Sequence, residues 1–160
     1  MLKIFRIYAL FAILGPVSAQ TLRVQIMENP AGERPSAMIL LESLAGKHPV
    51  ALQWDLLVPE QAIHVEENGI LLGQAAVKAG KSITCSAVPG TDARTRVYRC
   101  ILAGGTENVA AGPLAVINYV SRPEARPGRY VLRITRCLAV ERNTKRILLK
   151  DATAELVISR

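Results

Sequence analysis

Residues suited to acid–base or metal chemistry are few in this sequence. Its two histidines are His48, which precedes a proline in a turn pattern, and His64, which falls on the polar side of an apolar run. Glu66 and Glu67 form an acidic doublet, but a glycosidase needs a second carboxylate facing the first. Metal sites need several convergent ligands, and no nucleophile elbow, phosphate-binding loop or dinucleotide fingerprint is present. The sequence therefore predicts no enzymatic activity, no metal and no cofactor.

Disulfide chemistry is the other possibility, because the sequence has three cysteines, which allow three single pairings. Cys85 and Cys100 flank the turn sequence Val88–Asp92, between two runs that read as neighbouring antiparallel strands. We therefore favour a Cys85–Cys100 disulfide, which would stabilise the fold by about 3 kcal/mol through loop-closure entropy. Cys137 is then a free thiol that we expect to be a small buried apolar residue, with pairing between chains as the alternative.

The first residues of the chain have the three parts of a secretory signal peptide. Lys3 and Arg6 supply the positive start, residues 7–14 the apolar centre, and Val17–Ala19 a cleavage site that leaves Gln20 as the new N-terminus. The apolar stretch is shorter than the roughly 20 residues that a bilayer requires. We therefore expect a signal peptide over residues 1–19 and a secreted, periplasmic or cell-envelope protein with no membrane span after cleavage. An uncleaved anchor is the alternative.

Positive charge is concentrated near the end of the chain. From residue 122 to residue 160 there are 10 basic and 4 acidic residues. Such a surface attracts an acidic protein, an acidic polysaccharide or lipid phosphate, although alternating basic residues can also form the solvated side of strands. Nucleic acid is disfavoured by the signal peptide and by the lack of interleaved aromatic residues. The candidate basic contact surface consists of Arg129, Arg133, Arg136, Arg142, Lys145 and Arg146.

Apolar residues recur at every second position through most of the chain, as in residues 22–26, 50–58 and 130–140. This pattern is typical of half-buried strands, and turn sequences rich in proline and glycine separate the runs. Helical periodicity is nearly absent. The sequence predicts one all-β domain over residues 20–160, an antiparallel β-sandwich of about eight or nine strands.

The alternation of inward and outward side chains makes a specific prediction at two positions. Trp54 is in phase with Leu56, so we expect its ring to point into the core rather than to stack on a sugar. Arg136 lies two positions after the inward-facing Ile134, so regular alternation would point its side chain into the core. A charged side chain there needs a bulge near Cys137, or a place at the rim, to reach water.

Four segments follow one another in a recognisable order: Ala51–Leu56, Ala75–Ser82, Tyr98-x-Cys100 and Asn108–Ile117. This order resembles that of cohesin-like domains of exported bacterial proteins, and the likeness covers roughly residues 36–135. The resemblance implies a nine-stranded sandwich with jelly-roll topology, related in fold to some carbohydrate-binding modules. It also implies a binding role, since cohesins in cellulosomes bind dockerins.

The resemblance and the missing catalytic motifs together predict a non-catalytic binding or assembly module. Its partner would be an unknown protein, and the basic surface would favour an acidic one, held through one sheet face or an edge strand. A polysaccharide-binding module of the same fold is the alternative.

Overall fold

The computed structural model describes residues 21–27, 34–42, 49–90 and 92–159. The predicted signal peptide, residues 1–19, and His48 lie outside the described residues. No helix in the described ranges is long and apolar enough to cross a bilayer. In chain order the elements are β1 (Thr21–Met27), β2 (Ser36–Glu42), β3 (Ala51–Pro59), β4 (Ile63–Leu72), α1 (Gln74–Lys78), β5 (Ser82–Val88), β6 (Thr95–Ala103), β7 (Gly112–Ser121), β8 (Gly128–Val140), β9 (Arg146–Leu148) and β10 (Ala152–Ile158).

The strands form two antiparallel sheets. One sheet has four strands in the order β1-β2-β7-β4, and the other has six, in the order β10-β8-β3-β6-β5 with β9 added beside β8. This arrangement confirms the predicted all-β sandwich. The described residues contain ten strands rather than the predicted eight or nine, because the short β9 pairs with β8 as a strand of its own.

Alternation along each strand builds the core. In β3, at the centre of the six-stranded sheet, Leu52, Trp54, Leu56 and Val58 are all buried. Their neighbours in sequence point to the opposite side of the sheet, because successive side chains of a strand alternate. Strands of the four-stranded sheet complete the core with aliphatic residues, which in β2 are Ala37, Ile39 and Leu41.

The two sides of the sandwich are closed in different ways. On one side β1 and β10 lie against each other, and Thr21 forms a parallel bridge with Lys150. On the other side β4 and β5 are edge strands of different sheets and do not pair. A disulfide between Cys85 and Cys100 joins β5 to β6, which confirms the predicted pairing and leaves Cys137 as a free buried thiol.

A β-bulge in β8 keeps Arg136 in water. The register between β3 and β8 shifts between Gln53 and Asp55, so Arg136 and Cys137 together lie opposite the single residue Trp54. Arg136 has a φ of 51°, the left-handed conformation that glycine usually adopts in bulges of this kind. Its side chain is 73% exposed, whereas Cys137 is buried. Of the two predicted possibilities, the structure has the bulge.

We expect Arg136→Gly to be more stable than Arg136→Ala by about 1 kcal/mol. Both substitutions remove the same guanidinium group, but only glycine adopts the left-handed conformation without a steric cost at Cβ. Urea unfolding of the two variants measures the difference in free energy. An alanine variant as stable as the glycine variant would contradict the left-handed bulge.

Candidate functional site: the outer face of the six-stranded sheet

The outer face is the side of the six-stranded sheet that points away from the four-stranded sheet. At its centre β3 places Asp55, between the inward residues Trp54 and Leu56. The Asp55 side chain is only 6% exposed, although it lies on the solvent side of the sheet. A carboxylate with so little access to water needs charged or hydrogen-bonding partners. Arginines from the strands on both sides of β3 supply them.

Two guanidinium groups cover Asp55. Arg99 of β6 lies directly opposite in the register and donates two hydrogen bonds, from Nε to Oδ1 at 2.8 Å and from Nη2 to Oδ2 at 2.9 Å. Arg136 approaches from β8, with its Nη1 3.8 Å from Oδ2. The hydrogen bonds and the charge of Asp55 raise the pKa of Arg99, so this guanidinium stays charged at physiological pH. We call these three residues the arginine cluster; two cations around one anion leave it positive.

Three of the six predicted basic residues lie on the outer face. Arg133 is exposed and lies beside Leu57 in the register, and it forms no ion pair with any described residue. Arg136 belongs to the arginine cluster. Arg129, near the start of β8, forms an ion pair with Glu155 of β10. The charges of Arg133 and Arg136 are therefore more available to a partner than that of Arg129.

The other three predicted basic residues lie beyond the far end of β8. Arg142 donates a hydrogen bond to the backbone carbonyl of Thr106 at 2.7 Å. Lys145 lies in the turn of the β8–β9 hairpin and Arg146 begins β9, and both are exposed. Since a strand rises about 3.3 Å per residue, the six residues extend over roughly 40 Å. The structure lines them up along β8 and its hairpin but does not bring them together in one compact site.

A row of mostly apolar residues, which we call the apolar row, crosses the outer face beside the arginine cluster. Gln53 pairs with Ile101 on one side and with Leu138 on the other, and Leu138 pairs with Leu148 of β9. Ile101 is 46% exposed and Leu148 is 85% exposed. Leu138 and Leu148 are neighbours, whereas the polar Gln53 separates them from Ile101. Adjacent exposed apolar side chains often mark a contact site for another molecule.

Sequence reasoning missed both the Asp55–Arg99 pair and the apolar row. The alternation of side chains along each strand identifies these residues as outward-facing. Which of them touch one another, however, depends on the strand order β8-β3-β6 in the sheet. Asp55 and Arg99 are 44 residues apart in the chain. The one available signal was the single charged residue of β3, on the outward side of the strand, where a covered carboxylate needs a cationic neighbour.

Aromatic side chains do not form a sugar-stacking surface in the described part of the chain. Trp54 is 0% exposed, which confirms its predicted inward orientation, and its indole Nε1 has no hydrogen-bond partner. Tyr119 is also buried, and this burial raises the pKa of its hydroxyl. Tyr98 and Tyr130 are half-buried and pack against the core. A polysaccharide would find no row of exposed rings on these residues.

The candidate acid–base and metal residues are dispersed. His64 is exposed, with its Nδ1 4.0 Å from a carboxylate oxygen of Glu60. Glu66 forms an ion pair with Arg34, and Glu67 is exposed. Within the described ranges, no three histidine, cysteine or acidic side chains lie close enough together to hold a metal ion.

Cys137 is buried behind the outer face. Burial, with smaller contributions from the charges of Asp151 and Asp55, raises the pKa of its thiol to about 12. Because the thiolate is the reactive form of cysteine, this thiol is a poor nucleophile at neutral pH. The expected small buried apolar residue is confirmed.

The comparisons with known proteins identify the fold. No family model matches the chain, and no curated protein sequence matches it. The sixth cohesin of scaffoldin B from Acetivibrio cellulolyticus, crystallised in complex with a dockerin, matches with a TM-score of 0.64 at 10% identity, over 85% of this chain and 97% of that chain.

Two further cohesins match over most of their length. A cohesin module of a family 33 glycoside hydrolase from Clostridium perfringens has a TM-score of 0.62 at 14% identity, over 88% of this chain and 98% of that chain. A non-cellulosomal cohesin from Archaeoglobus fulgidus has a TM-score of 0.59 at 12% identity, over 88% and 93%. This chain therefore has the cohesin fold, as the resemblance predicted.

Trp54 is the only tryptophan in the chain, so its fluorescence reports its burial directly. We expect blue-shifted emission and weak quenching by acrylamide in the native protein, because the indole has no contact with solvent. Both properties should disappear in concentrated urea. N-acetyltryptophanamide serves as the control for an unshielded ring. Strong quenching of the native protein would contradict the buried position and make sugar stacking possible again.

We expect the native protein not to react with a thiol reagent such as DTNB at about pH 8, because the pKa of Cys137 lies far above that pH. After unfolding in guanidinium chloride without reductant, one thiol per chain should react, since the disulfide holds the other two sulfurs. A Cys137→Ala variant should then show none. Three reactive thiols in the unfolded protein would contradict the disulfide, and a fast native reaction would contradict the burial.

Proposed function

We propose that this chain is an exported, non-catalytic binding module that holds an acidic protein partner on its outer face. The observation that carries the proposal is the arginine cluster around the covered Asp55, next to an exposed apolar row on the same sheet.

The arginine cluster favours a partner with carboxylates. Asp55 fixes Arg99 with two hydrogen bonds, so this side chain loses little further conformational entropy on binding. Arg136 lies 3.8 Å from Asp55, beyond hydrogen-bond distance, and Arg133 has no described ion pair. Both therefore keep donors for a partner, and the planar fork of a guanidinium matches a carboxylate well. Arginine is also enriched among the residues that dominate binding energy.

The apolar row supplies the part of the contact that excludes water. Ile101 follows Arg99 by two positions on β6, and Gln53 precedes Asp55 by two positions on β3, so the row and the arginine cluster are adjacent. Protein interfaces combine a water-excluding centre with a polar rim. A strand surface with these groups suits another protein surface better than a small molecule, because small-molecule sites are concave.

The fold supports protein binding in particular. The cohesin of Acetivibrio cellulolyticus that matches this chain was crystallised with a dockerin bound to it. Because the two sequences are only 10% identical, this match shows a shared fold and does not identify the partner of this chain. The partner proposed for this chain is therefore defined by its charge and by the apolar surface it must cover.

Export is proposed from two features. Residues 1–19 have the composition of a signal peptide, and disulfides such as Cys85–Cys100 persist in oxidising compartments. We therefore propose that the module acts in the periplasm, at the cell envelope or outside the cell.

A non-catalytic role is proposed because the groups suited to catalysis are dispersed or protected. His64 and Glu67 are exposed, and Cys137 keeps its proton at neutral pH. The polysaccharide alternative has less support than a protein partner, because Trp54 is shielded and the described tyrosines are buried or half-buried.

Neutralising the free charge of the outer face tests the proposal. We expect Arg133→Glu/Arg136→Gln to lower the amount of partner captured from an envelope extract by at least about tenfold, because the partner loses two arginine contacts. Capture by the wild type should also fall as salt is added. Glutamine rather than glutamate is chosen at position 136, since a second carboxylate beside Asp55 would repel it.

The matched control is Arg126→Gln/Lys78→Glu, which removes the same net charge from two exposed residues outside the outer face. We expect this variant to capture as much partner as the wild type. Thermal melting verifies that both variants fold. Equal capture by the two variants would show that the outer face is not the contact surface.

A further inference from the structure

The edges of the two sheets are protected to different degrees. A free strand edge exposes unpaired N–H and C=O groups, and proteins usually blunt it with charges, prolines, bulges or cover. β1 and β10 cover each other, and Thr21 bridges Lys150. In β4 the pairing with β7 breaks between Val65 and Ile70, and this irregular stretch carries two glutamates. These edges are protected.

β5 has none of these features. Over Ser82–Val88 it reads Ser-Ile-Thr-Cys-Ser-Ala-Val, with no charged residue, no proline and no glycine. Every residue pairs with β6 in an unbroken register, and β6 is the only described strand that pairs with it. The other side of β5 therefore presents a regular row of backbone donors and acceptors. Such an edge is a template for another strand.

A groove follows the inner side of this edge. It has a volume of about 590 Å³, lies between β4 and β5, and is lined on the β5 side by Ile83, Cys85 and Ala87, among other residues. These three share the inward parity of the strand. The inward side chains of a strand added to β5 would enter the groove and cover them. The groove therefore offers room for those side chains.

We infer that β5 pairs with β5 of a second copy of this chain, antiparallel, around a two-fold axis at Cys85. In this register Thr84 of each copy lies opposite Ser86 of the other, and Ile83 lies opposite Ala87. Outward residues then face outward residues, and inward residues face inward ones, as the pleat requires. Pairing along the whole strand makes about six to eight backbone hydrogen bonds.

The absence of charge on β5 and its self-complementary residues favour a second copy as the occupant. Residues 20–160 include 18 basic and 13 acidic residues, a net charge of +5, so two copies repel each other except where their contact surface carries no charge. β5 brings no charge to the contact, and the opposed hydroxyl groups of Thr84 and Ser86 form a favourable cross-strand pair. A two-fold axis closes the assembly at two copies, so no free β5 edge remains for further strands.

The inferred dimer goes beyond the proposed function. The two-fold axis is perpendicular to the joined sheets, so both outer faces lie on the same side of one continuous sheet. The dimer would then present two partner surfaces side by side, which increases the avidity for a partner with repeated sites.

Substitutions at the two outward positions of β5 test this register. Thr84→Lys/Ser86→Lys places lysine opposite lysine at both positions across the axis. Thr84→Glu/Ser86→Lys places glutamate opposite lysine at the same positions. Both side chains are exposed in the single chain, so both variants should fold, which thermal melting verifies. Sedimentation velocity of the mature chain over a range of concentrations measures the dissociation constant.

We expect the wild type to dimerise reversibly and Thr84→Lys/Ser86→Lys to raise the dissociation constant by about tenfold. Thr84→Glu/Ser86→Lys should stay within about threefold of the wild type. A wild type that is monomeric up to about 1 mM overturns the inference. Two other results would also overturn it. One is a dissociation constant that Thr84→Lys/Ser86→Lys leaves unchanged, and the other is an equal rise of the dissociation constant in both variants. Arg133→Glu/Arg136→Gln should leave the dimer intact, so the two proposals fail in different measurements.

Discussion

The burial of two aliphatic sheet faces against each other is the constraint on which the rest of this molecule depends. Trp54 and Tyr119 are the large aromatic side chains of the described core, so Leu, Ile, Val and Ala at alternate positions must supply most of the buried surface. A slip of one residue in any strand would turn its apolar set to water and its polar set inward. The register is therefore strongly specified, and the one charged residue of inward parity in β8, Arg136, requires a bulge and a left-handed backbone.

The same register creates the charged centre of the outer face. Asp55 is outward by parity, yet its carboxylate is almost out of contact with water because arginines of β6 and β8 lie over it. A carboxylate in that position is stable only while it is paired, since an uncompensated buried charge is costly. The pairing leaves the surface positive and holds Arg99 in a single geometry. Electrostatics and packing are thus coupled at this site: the core residues of β3 set where Asp55 points, and Asp55 sets where Arg99 points.

The two contact surfaces that we propose use different properties of the same sheet. The outer face offers side chains, with charge and apolar area but no strand pairing. The edge of β5 offers backbone groups, with pairing but no charge. Neither surface needs a catalytic group, which agrees with the dispersal of His64 and the acidic residues and with the high thiol pKa of Cys137.

Local pattern alone predicted the fold class and the inward ring of Trp54. It also favoured the observed disulfide among three pairings and required either a bulge or a rim position for Arg136. Each of these follows from parity or from short spacing along the chain. Only the tertiary structure decided which strands are neighbours, and so which outward residues meet: Asp55 and Arg99 are 44 residues apart. The predicted basic residues were identified by charge along the chain, and the structure spreads them along β8 and its hairpin. Strand order and register are set by the packing of the whole core, and no short segment of sequence contains that information.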